Sequence, residues 1–129
     1  MLGVNLLVRL GRRFLAGPVA AAGVLPAGYY RHLVLAALEE EDFPGALRHL
    51  RWTEEPLLAQ ILVFRLRLLA AAHRQQRQAL QELGQSSLPA PKREQCQALL
   101  RQEEQALGLL GGYEARAMEI LAGSLKQSS

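Results

Sequence analysis

The chain has 129 residues, a formal net charge of +3, and is 50% hydrophobic but only 5% aromatic; that length holds one domain with room for an appended segment. Leu and Ala dominate while strand-forming residues are scattered, which argues against a sheet-built fold and for helices. The single cysteine, Cys96, excludes an intrachain disulfide framework and a cysteine-built zinc site within one chain.

Charge is unevenly spread. Residues 1–38 hold Arg9, Arg12, Arg13 and Arg31 and no acid, whereas acids and bases nearly balance from Glu39 onward. A local positive field of this kind acts on membranes and targeting machinery. Residues 1–15 draw as an amphipathic helix, with Asn5, Arg9, Arg12 and Arg13 on one side and Leu6, Leu7, Leu10 and Phe14 mostly opposite. Basic, acid-free and amphipathic is the pattern of a mitochondrial targeting segment, although Ser, usual in such segments, is absent and no Thr precedes Thr53. The same helix could lie on an anionic membrane surface or pack its leucines on the core.

Residues 14–30 carry no charge and reach about the lower length limit for crossing a hydrocarbon core. Pro18, Pro26, Gly17, Gly23 and several alanines keep the stretch only mildly apolar. It reads as a membrane-associated segment whose Tyr29 and Tyr30 suit an interface. It also reads as the apolar part of a secretory signal, or as a broken connector on the core. Residues 1–30 are thus assigned as an N-terminal targeting or membrane-associating segment and 31–129 as the helical domain.

From Pro26 to Glu41 the apolar residues Tyr30, Leu33, Val34, Ala37 and Leu38 recur at helical spacing. Glu39, Glu40, Glu41 and Asp42 point in different directions from a helix, so they read as a solvated helix end rather than a metal site. Asp42 with Pro44 starts a short basic helix to Trp52, Asp42 as cap and Pro44 in the first turn. The stretch 37–50, ALEEEDFPGALRHL, locally resembles the corner of the tetratricopeptide helix–turn–helix. It lacks the full repeat pattern and has no second copy.

Thr53 to Gly84 reads as one long helix with Thr53 as N-cap, Glu54 and Glu55 on the positive end of the helix dipole, Pro56 in the first turn and Gly84 at the end. Leu57 to Ala72 is apolar on most sides and asks for cover from more than one side. Gln85 to Pro91 is a loop. Lys92 to Leu125 is a second long helix, with an interruption or kink expected at Gly111 and Gly112. The short loop makes the two long helices antiparallel neighbours. Leu58, Leu62, Leu69, Leu99 and Leu110 are the expected core.

Candidate chemistry is sparse. His32, His49 and His73 form no i, i+4 pair for a metal, and His73 is near Arg74 and Arg77, cationic neighbours that disfavour metal binding. Cys96 on an apolar face is a buried, inert thiol rather than a nucleophile. No phosphate-cradling loop follows a strand. Thirteen arginines against two lysines would suit phosphates, but beyond Glu39 they alternate with Glu and Gln, as on a solvated face. The patch of His49, Arg51 and Trp52 is too small for base stacking. Nucleic acid is therefore not the expected partner, and neither a catalytic, a cofactor nor a metal site is expected.

The sequence thus reads as all-α: a long antiparallel helical hairpin with two or three shorter N-terminal helices packed against it. The function it suggests is a non-enzymatic helical adaptor or assembly factor at a membrane, mitochondrial by its N-terminal pattern. Arg9, Arg12, Arg13, Leu6, Leu10 and Phe14 would make the membrane or targeting contact. The alternative is a soluble all-helical protein–protein interaction module, cytoplasmic, or a protein of the endoplasmic reticulum membrane. A protein partner or a second copy is expected on an outward apolar face at Val63, edged by Arg67 and Arg74, unless the N-terminal segment folds back over it.

Overall fold

The computed structural model describes residues 26–128, which form four helices and no strand. The targeting residues expected in 1–15 lie outside them. Helix α1 is Ala27–Glu39, α2 is Phe43–Leu50, α3 is Pro56–Gly84 and α4 is Ala90–Ser128. The fold is all-α, with α3 and α4 forming the long antiparallel hairpin and α1 and α2 as the shorter helices packed against it. Among the described residues the chain divides into two compact units, one of 26–62 with 116–128, the other of Val63–Ala115.

In the first unit, α1 buries Tyr30, Leu33, Val34 and Ala37, the i, i+3, i+4, i+7 stripe that the sequence shows. Helix α1 ends in a Schellman arrangement. The Asp42 N–H donates to Ala37 O at 2.8 Å and the Glu41 N–H to Leu38 O at 3.2 Å, so two carbonyls that α1 leaves over are satisfied. The motif needs a left-handed residue, and Glu41 fills that place at φ 55°. Asp42 then caps α2, its Oδ1 accepting the Gly45 N–H at 3.0 Å, as the Asp-x-Pro-Gly order suggests. Gly45 is needed for close approach, because a Cβ there would sit 2.8 Å from Asp42 Cγ. Phe43, Ala46, Leu47 and Leu50 of α2 close on α1, with Leu58, Ala59 and Leu62 of α3 and Ala117 of α4 completing this core.

The N-cap expected at Thr53 is not there. Its hydroxyl turns back to donate to Leu50 O at 2.7 Å and accepts the Glu55 N–H at 3.3 Å. Helix α3 begins three residues later, after Glu54 at φ 57°. The side-chain bond at Thr53 therefore closes the turn after α2 instead of opening α3.

In the second unit α3 and α4 run antiparallel. Arg67 meets Glu114, His73 meets Glu103 and Leu80 meets Cys96, so the partner number falls as the α3 number rises. The loop between the helices spans 85–89. Val63, Leu66, Cys96 and Leu110 are buried. Gly111 and Gly112 do not interrupt α4, which is helical through both. A glycine costs a helix only ~1 kcal/mol, and neighbouring Leu110 is anchored by burial. Of the five leucines expected in the core, Leu58, Leu62 and Leu110 are buried, Leu69 is half-buried and Leu99 is exposed. Among the described residues α3 is covered on one side only, where its apolar run led us to expect cover on several.

Candidate partner-binding surface

Helix α3 sorts its side chains by angle. One residue advances a helix by about 100°. Leu58, Ala59, Leu62, Val63 and Leu66 fall on one side and are buried. Val63, expected to face outward, is only 5% exposed, and it therefore does not lie on an open face. Its neighbour in sequence does: in the second unit Phe64 is 63% and Leu68 56% exposed, one helical turn apart. In the first unit Leu57 and Ile61 are likewise exposed and one turn apart. The outward position expected for Val63 is therefore corrected: among the described residues Phe64 and Leu68 are the exposed apolar side chains beside it.

Arg67 lies beside the open pair, largely exposed, and its Nε reaches Glu114 Oε1 of α4 at 2.5 Å. It therefore clamps the hairpin as well as edging the apolar surface. Such exposed pairs contribute little to stability on their own. Arg74 lies about two turns further along the same side of α3. With Arg77 it edges a shallow cleft of about 200 Å³ over Leu66, Ala70 and Leu110. Glu114, which Arg67 reaches, also lines that cleft, whereas Val63 is buried and offers no outward surface.

The polar contacts that sequence reasoning missed are long-range. His73 Nδ1 lies 2.5 Å from Glu103 Oε2, although only the adjacent arginines were visible in sequence. The Gln76 amide, oriented to donate, comes within 2.8 Å of Glu103 Oε1. In the first unit Arg31 Nε donates to both oxygens of Glu55 at 3.0 Å. That hydrogen bond, assisted by charge attraction and opposed by slight burial, holds the Glu55 carboxyl below its ordinary pKa. The Glu55 carboxylate in turn raises the Arg31 guanidinium above its ordinary value, chiefly through the same hydrogen bond.

His49 is buried, its ring centroid 6.1 Å from that of Tyr30, and Trp52 stands 6.4 Å from Tyr30 on the same basis. The Tyr30 ring is thus surrounded by protein. Cys96 is buried and its thiol donates to Leu80 O at 3.2 Å, as expected of an inert cysteine. Among the described residues no group of His, Cys, Asp and Glu could hold a metal. Helix α3 is the one helix among them long and apolar enough to cross a membrane by length and composition, with 28% of its most apolar stretch buried. No family model, curated protein or solved structure matches the chain.

Proposed function

We propose that the chain is a small non-enzymatic helical adaptor or assembly factor, held at a mitochondrial membrane by its N-terminal segment and docking a protein partner through the open side of α3. The observation that supports docking is the exposure of Phe64 and Leu68, one turn apart on a long helix. Large apolar side chains grouped in water favour an apolar partner, and removing each from water yields about 1–2 kcal/mol for the part still exposed. Arg67 at its edge supplies the polar rim such surfaces carry. The partner face that fits is the apolar stripe of another helix, or of a second copy of this chain. The membrane part of the proposal is supported by the acid-free, basic and amphipathic order of residues 1–15.

The test is a full-length protein carrying Phe64→Asp with Leu68→Asp. Both sites are exposed, so its thermal midpoint should stay close to the parent's. Its dimer in analytical ultracentrifugation, or its partner in a cross-linked pull-down, should be lost. A variant that melts early, or that keeps its associations, removes the docking proposal. Separately, replacing Arg9, Arg12 and Arg13 by Glu should release a C-terminally tagged protein from the organelle fraction. Unchanged localisation would remove the membrane part alone. Burial of Tyr30 in protein favours one other reading, a soluble helical interaction module, and that second outcome would support it.

A further inference from the structure

Helices α2 and α4 leave a cleft of about 360 Å³ in the first unit. Its apolar floor is Pro44 and Leu47 of α2 and Ile120 of α4. Its polar rim is Arg48 and Arg51 from α2 and the turn after it, with Arg116 and Glu119 from α4. Residues 44, 47, 48 and 51 share one side of a helix, as do 116, 119 and 120, so the cleft follows from two helical stripes facing each other. The rim carries three positive charges and one negative.

Arg31 is paired with Glu55 and Arg67 with Glu114, yet among the described residues no ion pair engages Arg48, Arg51 or Arg116. Arg51 is nonetheless held in place, its guanidinium carbon 4.5 Å above the centre of the Trp52 ring. Three guanidinium groups around an apolar floor form a site for an anion attached to an apolar group.

We infer that this cleft binds an acidic peptide segment of a partner protein, one apolar side chain seated on Leu47 and Ile120 and flanking carboxylates on Arg48, Arg51 and Arg116. The planar guanidinium fork matches a carboxylate in two-point contact. Glu119 weakens every anion at this rim, and a doubly charged phosphate more than a singly charged carboxylate. A carboxylate inside the rim repels a dense phosphate charge, but it can accept a backbone N–H of a bound peptide. The floor is set between two helices, which suits a single side chain better than a membrane surface. The inference uses none of the residues on the open side of α3, so each stands or falls alone.

Trp52 is the chain's only tryptophan and lies under Arg51, so its fluorescence reports the site directly. The probe is a short synthetic peptide with one leucine between glutamates, titrated into the full chain. Its emission should change saturably, less so at high salt, and hardly at all with the glutamine counterpart of the peptide. Arg48→Glu with Arg116→Glu should weaken binding about tenfold or more while leaving the thermal melt unchanged. Glu119→Gln should tighten it, a gain that damage to the fold cannot produce. Equal binding of the glutamine peptide, or indifference to the arginine reversals or to Glu119→Gln, overturns the inference. So does a response to phosphatidylserine vesicles or to a single-stranded oligonucleotide in place of the peptide.

Discussion

Replacing Glu41 with glycine should stabilise the protein. Glu41 sits at φ 55° as the left-handed residue that ends α1. A side chain with a Cβ pays about 1–2 kcal/mol for that conformation. The same residue adds a negative charge beyond the C-terminal end of α1, beside Glu39 and Glu40, where the helix dipole disfavours it by about 0.3–1 kcal/mol. Against these gains, glycine frees the unfolded chain and costs roughly 0.5–1 kcal/mol. The net expectation is about 1 kcal/mol in favour of the variant, or a few degrees in thermal midpoint. Glu41→Ala is the control, since it removes the charge and keeps the strained Cβ. Urea and thermal denaturation of the two variants separate the causes. If alanine stabilises as much as glycine, backbone strain is not what Glu41 contributes and the reasoning is refuted.

Leu62 is 0% exposed, so Leu62→Ala should cost about 2–5 kcal/mol; an unchanged denaturation midpoint would show that the core is drawn wrongly. Glu55→Gln should lower the thermal midpoint at neutral pH by removing the ion pair with Arg31. The Glu55 carboxyl lies below its ordinary pKa in the folded state, so its stabilisation is full above the ordinary carboxylate value and is lost as pH falls through the lowered one. The gap between parent and variant should therefore close on acidification, and a gap that persists in acid would show that the contact is not ionic.

Much of the helical plan was legible because it is local. The stripe of Tyr30, Leu33, Val34 and Ala37, the Asp42 cap and the break between Gly84 and the second long helix each depend on residues within a turn or two. What failed depends on distance. Val63 and Phe64 are both apolar neighbours, and their burial depends on residues distant in sequence, which decide which of them meets water. Leu99 looked like core for the same reason and is exposed. The pairing of His73 with Glu103 requires the register of the hairpin, which depends on how the loop of 85–89 is cut. Thr53 was ambiguous in kind, since its hydroxyl could serve the turn behind it or the helix ahead, and it serves the turn. The arginine cleft was invisible because Arg48 and Arg116 are far apart in sequence.

The division of the chain into units has a consequence for the order in which it folds. The first core takes Ala117 from α4 as well as Tyr30, Leu47 and Leu62 from the chain before Val63. That core cannot be completed until everything between has been made and turned back. The second unit needs only its own continuous residues, Val63–Ala115, and its Leu80–Cys96 contact closes across a short loop. Closing a short loop costs less entropy than closing a long one, so pairing should start at the tip and bring Leu62 and Ala117 to one end together. Pulsed hydrogen exchange during refolding should then protect the amides around Leu80 and Cys96 before those around Leu33 and Leu47, and a ribosome-bound chain halted before Ala117 should lack the first core.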